Sequence, residues 1–417
     1  MDLLTFIENS PTAYQAVGES AKILEQNGYL PITERDLGNQ QMKPGGKYFV
    51  IRNDSSLIAV SMPKEKVKGF HIVASHCDSP AFKIKENPDI TVENNYRKLN
   101  VEKYGGMILS TWLDRPLGVA GRVIVKSGEK PKTRLLDLKR DYCVIPNLAI
   151  HFNREINKGY EYNPQIDMLP LFAGNPQKSL VDEVAKELGV EKEEILDYDL
   201  FLYNREKGRL FGCDNEFILS PRLDDLQCVY ASLQAMIGVK PKEYVPVCAI
   251  FDNEEVGSRT RQGADSDFLR NILQKVVRGY GADEELTGIL AESFLLSADN
   301  AHALHPNHPE KSDLTNKPYL NKGIVLKYNG DARYTTDAYS AAVVRELCKE
   351  AGIPLQIFAN RSDIAGGSTL GNLLVSQVSV PAADVGLAQL AMHSAMETAG
   401  AHDMEDMINM MTLFLSK

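Results

Sequence analysis

GFHIVASHCDSP, residues 69–80, is an apolar run of strand length that ends in a histidine and an aspartate. Between Gly69 and Pro80 it reads as a buried strand, with His76 and Asp78 delivered at its end. Four further stretches share that design: SPRLDDL (220–226), CAIFDNEEVGS (248–258), FLLSADNAHA (294–303) and AMHSAMET (391–398). In open α/β sheets ligands bind beyond the carboxyl ends of strands, so residues far apart in sequence can converge there.

Working outward, Ser10-Pro11-Thr12 suits a helix cap, and Tyr14, Val17, Ala21, Ile23 and Leu24 fall near helical spacing behind it. KYFVIR (47–52) and SSLIAVSM (55–62) read as strands. From about Asn87 the pattern changes to short alternating runs (ITVENNYRKLNVEKY, GVAGRVIVKS, TRLLDL, YCVIPNLAIHF), closed by a helix near 178–190 and the strand-like DYDLFLYN near 197–204. The α/β rhythm then returns with the capped helix SPRLDDLQCVYASLQAMIG and the strands YVPVCAIF, FLLSA and GIVLKYNG. The expected fold class is α/β, a mixed central sheet flanked by helices. Residues 1–84 and 207–417 would form one discontinuous domain, with 85–206 inserted as a β-rich block.

Composition excludes several functions. The 417 residues carry 46 Lys+Arg against 56 Asp+Glu, a net charge of −10, which disfavours nucleic acid as a partner. Six cysteines without a C-x-x-C pair fit a reducing compartment. The start MDLLTFIENSPTAY lacks a basic segment and a sustained apolar run, and no stretch approaches the ~18 apolar residues of a membrane span. A soluble, cytoplasmic protein is expected.

The residue types at the strand ends suggest metal chemistry. In H-x-D, Asp78 can accept the second imidazole N–H of His76 and fix the tautomer of a metal-ligating histidine. Asp224 and Asp225 stand where one could cap a helix or ligate an ion. Glu254 and Glu255 are like charges held directly after a buried strand, an arrangement that calls for a cation or a proton. Asp299 ends FLLSA, while His302, His305 and His308 are separated by prolines that break a shared helical face. His393 is expected at a helix start, with Glu397 one turn on. Taken together, this oxygen- and nitrogen-rich set without thiolate matches catalytic rather than structural zinc-like sites. Metal-independent glycoside hydrolysis by Glu254 and Asp299, and a non-catalytic assembly protein, stay open as alternatives.

The ordered set SHCDSP, SPRLDDL, FDNEEVGS, SADNAHALHPN and MHSAMET resembles the aspartyl aminopeptidase family of dinuclear zinc metallopeptidases over nearly the whole chain. The resemblance implies a zinc aminopeptidase (phosphorylase/hydrolase-like) fold and removal of N-terminal residues from peptides, with acidic ones preferred and a broad-specificity or neutral-residue enzyme as the alternative. His76 and Glu255 would hold one zinc, Asp299 and His393 the other, and Asp224 would bridge them, followed by a cis Asp224–Asp225 bond. Cobalt or manganese could substitute. Asp78 would orient His76, and Glu254 would be the general base. The inserted block would be a dimerisation domain whose NLAIHFNR segment sends His151 into a neighbour's site. Lys327 would recognise an acidic side chain, SDIAGGSTLGN (362–372) would lie near the substrate backbone, and dimers would build dodecamers.

Overall fold

The computed structural model describes residues 1–38, 42–65, 67–281 and 286–417. They form two compact units, the first comprising Met1–Asp78, Arg209–Met392 and Glu397–Lys417, the second Ser79–Gly208 with His393–Met396.

The first unit is built on a nine-stranded mixed sheet. Its centre is four mutually parallel strands in the spatial order Tyr244–Phe251, Gly69–His76, Phe294–Ala298, Ala382–Gly386. Ser56–Ser61 and Lys47–Arg52 extend it antiparallel on one side, and Ile324–Tyr328 runs antiparallel to Ala382–Gly386 on the other. Every residue of Gly69–His76 is buried because both faces of the sheet are covered, which is why the strand lacks an apolar/polar alternation. Val73 packs with the helices Ala13–Gln26, Leu223–Gly238, Ala338–Ala351 and Asp403–Leu415. Ile72 and Ala74 point to the opposite face and pack with Phe268–Gly279, Leu286–Ala291 and Leu370–Gln377. A large apolar side chain fully buried in either layer contributes roughly 1.5–3 kcal/mol. A smaller sheet of the same unit contains Phe217–Ser220, Glu397–Gly400, Ala388–Leu390 and Ala301–His302 among its strands.

The second unit is a six-stranded antiparallel sheet in the order Lys130–Asp137, Leu117–Ser127, Ile195–Asn204, Ala81–Val92, Tyr96–Tyr104, Leu171–Ala173. Phe82, Trp112, Leu200 and Leu202 fill its core, with Leu180, Val184 and Leu188 from the helix Leu180–Leu188. The strand from Ala81 pairs wholly inside this unit, so the chain divides at Asp78/Ser79, earlier than the expected 84/85. YCVIPNLAIHF, read as a strand, makes only isolated bridges at Cys143, Val144 and Ile145. Pro146 then removes a backbone donor, and the chain turns through 150–152.

AMHSAMET corrects another expectation. It is no helix start but the loop between the antiparallel strands Ala388–Leu390 and Glu397–Gly400, with Ala391 and His393 at φ of 56° and 65°. No helix among the described residues is long and apolar enough to cross a membrane.

Gly386 offers a test of how the sheet sets the position of Asp299. A Cβ at residue 386 would overlap the carbonyl oxygen of Asp299. Gly386→Ala is expected to cost on the order of 1–3 kcal/mol, measured by urea unfolding of the full chain.

Candidate metal centre

Strand register brings the site together. Phe251 pairs with His76, and Ser297 with Ala74, so Asp252–Glu255 and Asp299 leave the sheet at the level where Gly69–His76 ends. Asp224 and Asp225 come from the first turn of the helix Leu223–Gly238, where both have non-helical backbone angles. The peptide bond between them is cis.

His76 is the hub. Its Nε2 lies 3.4 Å from Asp224 Oδ1 and 3.9 Å from Asp299 Oδ1. On the other side of the ring, Nδ1 is 3.4 Å from Asp78 Oδ1 and 3.1 Å from the Asp78 carbonyl oxygen. Asp78 has a second task that its spacing in the sequence did not suggest: its carboxylate accepts the backbone N–H groups of Glu254 and Glu255, both at 3.1 Å. One carboxylate thus faces the imidazole and fixes the turn that carries the glutamate pair. Asp225 Oδ2 accepts the His76 N–H at 3.3 Å. Cys77 turns away, donating to the carbonyls of Ser55 and Phe251.

Among the described residues, two sets of side chains bring donor atoms within reach of a single ion: His76, Asp224 and Glu255, and His76, Asp225 and Asp299. The electrostatics favour a cation here. Burial pushes the Asp225, Glu255 and Asp299 carboxyls up, and neighbouring carboxylates add to the effect. Glu254 is raised to about 8 for the same reasons, burial first and then Asp299, Asp78 and Asp224. Burial alone would lower His76, but its hydrogen bonds to Asp224 and Asp78 hold it well above its usual range. Asp225 Oδ1 is buried without a hydrogen-bond partner. A divalent ion would relieve this repulsion, so the residues present fit the metal that the sequence implied.

A polar lattice supports the set. Glu397 Oε2 accepts the Asp224 N–H at 3.0 Å. Asn300 Nδ2 donates to the Leu223 carbonyl, Gln227 Oε1 and Gln389 Oε1. Lys327 does not face solvent; its Nζ is buried, donates to the Asn300 carbonyl at 3.0 Å and lies 3.5 Å from Asp299 Oδ2. Burial works against the ammonium, but Asp299 and Tyr334 keep it charged. Sequence reasoning placed Glu397 one turn after His393, but missed it and Asn300 as supports because their partners come from other elements.

His302, His305 and His308 are exposed, with His308 3.3 Å from Glu310. His151 lies in an exposed turn of the second unit. His393 groups with the second unit, its carbonyl accepting the Ile108 N–H.

A mixed sheet whose parallel centre collects histidine and carboxylates into an ion-sized, cation-demanding cluster defines a metal-binding site of the chemistry that metal-dependent hydrolases use. Comparison with known proteins sharpens this. Residues 6–415 match the family model described as aminopeptidase I zinc metalloprotease (M18). The probable M18 family aminopeptidase 2 of Clostridium acetobutylicum is 46% identical over 411 residues, covering 96% of this chain and 94% of that protein. Among solved structures, a chain in the cryo-EM structure of the Ape4 and Nbr1 complex superposes with a TM-score of 0.95 at 34% identity, covering 99% of this chain and 84% of that one. The S. cerevisiae mApe1 dodecamer gives 0.86 at 29% identity, with 99% and 95% covered. The chain belongs to the M18 peptidase family and is a metal-dependent aminopeptidase. This sets aside the glycosidase and non-catalytic alternatives.

The raised pKa of Glu254 carries a sign. A carboxyl that keeps its proton in the folded protein up to about 8 but loses it near 4.5 when unfolded makes the metal-free fold less stable as pH rises between those values. Chelated protein should therefore melt at a lower temperature at pH 8 than at pH 5.5, and added zinc should narrow the gap. Calorimetry at both pH values, with and without zinc, checks this.

Proposed function

We propose that the protein removes N-terminal residues from peptides with two zinc ions per subunit, using His76, Asp224 and Glu255 around one and Asp299 and His393 for the other, with Asp224 shared. The observation that carries this reading is the convergence of Asp224, Glu255 and Asp299 on His76, with Glu254 beside them. Asp225 also lies within ligand reach of His76, and its Oδ2 accepts the His76 backbone N–H, which ties the Asp224–Asp225 turn to the end of the strand Gly69–His76. These residues would hold zinc, or cobalt or manganese in its place, which would supply a lowered proton affinity of water and polarisation of a peptide carbonyl.

The chain's own groups do the rest. Asp78 orients His76 and holds the Glu254–Glu255 turn. Glu254 takes the proton from the attacking water at its carboxylate and returns it to the leaving amine. Burial and neighbouring carboxylates raise its carboxyl in the metal-free site, and bound cations would offset that effect, leaving a carboxylate free to accept the proton. Acidic N-terminal residues are preferred through the buried positive charge of Lys327. A second reading, broad or neutral-residue specificity, is favoured by one observation: Lys327 is already engaged by Asp299 and the Asn300 carbonyl.

The second unit is the dimerisation domain. Exposed Leu148, Ile150 and Phe152 around His151 support an interface there, with His151 acting in a neighbouring subunit's site to stabilise the developing oxyanion. Assembly into a dodecamer is supported by the dodecameric S. cerevisiae relative. Six unpaired cysteines suit a cytoplasmic setting.

Glu254→Gln should keep its metal, by elemental analysis, while kcat falls about 10²–10⁴-fold; near wild-type turnover would refute the base assignment. For specificity, aminoacyl-amides of Asp and Glu should be cleaved faster than those of Leu and Lys, and Lys327→Ala should abolish the difference. Equal rates for Leu and Asp in the wild-type enzyme would select the broad-specificity reading.

A further inference from the structure

Asp384 lies on the strand Ala382–Gly386 and has no part in the chemistry described above. It is fully buried, yet its carboxylate is richly bonded. Oδ1 accepts from Ser297 Oγ at 2.8 Å and from Thr369 Oγ1 at 2.5 Å. Oδ2 accepts both the backbone N–H and the hydroxyl of Thr335, each at 2.6 Å. Its own N–H donates to Thr336 Oγ1 at 2.9 Å. Four donated hydrogen bonds satisfy the two oxygens of this buried carboxylate.

The partners come from two different loops. Thr335 and Thr336 end the loop that follows Ile324–Tyr328 and enters the helix Ala338–Ala351. Thr369 ends the glycine-rich loop that follows Leu355–Ala359 and caps the helix Leu370–Gln377. Both loops are exposed along most of their length and buried or half-buried where they meet Asp384. They also touch one another, since Arg333 Nη1 donates to the Gly366 carbonyl at 2.6 Å. The second helix is drawn close to this carboxylate: a Cβ at Gly371 would meet the Ser297 side chain at 2.6 Å and Asp384 Oδ1 at 3.2 Å. Tyr334 anchors the first loop in a small apolar cluster with Val325 and Phe358, and the hydrogen bonds to Asp384 fix the ends of both loops.

The loops lead back to the metal cluster. Lys327 and Asp384 share one face of the sheet, each two residues on from the paired Val325 and Gly386. The Tyr334 ring, one residue before Thr335, lies 5.3 Å from Lys327 Nζ, which in turn sits 3.5 Å from Asp299. We infer that Asp384 is a positioning residue for the peptide substrate: by clamping Thr335, Thr336 and Thr369 to the sheet it holds both loops in the arrangement that grips the substrate beside Asp299. This rests on the site proposed above.

The test uses steady-state kinetics of the holoenzyme on an aminoacyl-amide that it cleaves, with metal content and melting temperature measured for each variant. Thr335→Val and Thr369→Val each remove one hydroxyl donor and leave Asp384 in place. Each should raise KM about 10-fold or more with kcat within about threefold of wild type and full metal content. Thr335→Ser, which restores the hydroxyl, should return KM to within about twofold. Asp384→Asn should show the larger KM effect if it folds, and the threonine variants decide the matter if it does not. Unchanged KM in both valine variants would overturn the inference, as would losses that track metal content or melting temperature. Glu254→Gln, run in parallel, separates the two ideas. Its inactivity beside wild-type KM in the threonine variants sinks only the loop clamp, whereas its full activity sinks the site itself.

Discussion

Mutual repulsion among carboxylates held out of water is the constraint on which this molecule is organised. Asp224, Asp225, Glu255 and Asp299 are gathered around one imidazole at the end of a sheet, and burial raises three of those carboxyls together. Charges this close cannot all stay ionised in a poorly solvated place unless protons or cations offset them. In the absence of metal, His76 offsets part of this charge by holding its proton well above its usual range, and Lys327 offsets part of it at Asp299. The same arrangement is destabilising when empty and demanding when filled, the condition under which metal binding couples to folding.

What keeps the charges from spreading apart is a frame of backbone hydrogen bonds. Asp78 ties the end of the strand Gly69–His76 to the turn after Tyr244–Phe251 by accepting two N–H groups from that turn. Glu397 holds the Asp224 amide, and Asn300 links the entry of the helix Leu223–Gly238 to Gln389. Each tie joins elements that the sheet has already placed side by side, so none needs to supply much energy. Their effect is geometric, because metal ligands left unbraced would relax away from one another. Lys327 belongs to the same frame; buried against Asp299 and the Asn300 carbonyl, it adds a positive side chain at Asp299 Oδ2, away from the His76 contact through Oδ1.

Much of this was legible in the sequence. The run GFHIVASH had to be a buried strand, since a chain of small and β-branched residues with no polar face gives no amphipathic alternative. The acids after it announced the site because like charges rarely follow a buried strand without purpose. Other features were not legible. AMHSAMET carries a histidine and a glutamate at helical spacing, yet pairing of Ala388–Leu390 with Glu397–Gly400 makes it a loop. Tertiary pairing overrode the local pattern. Lys327 reads as a surface residue by type, and only the approach of Asp299 explains its burial. The supporting roles of Glu397, Asn300 and Asp384 give no local signal, because the partners that define them lie on other elements, Asp224 being 173 residues from Glu397 and Gln389 89 from Asn300.

The sequence by itself determined that runs such as Gly69–His76 are buried strands in an α/β fold and that their ends carry histidine and carboxylates, the chemistry a metal needs. These follow from local composition and period, which a chain carries whatever its neighbours do. Tertiary structure alone decided that Asp225 stands as close to His76 as Asp224 does, that Asp78 braces the glutamate turn as well as the imidazole, and that Asp384 joins two loops. Strand register sets those distances, and register is fixed by how the sheet packs against the helices on both faces, which no single segment encodes.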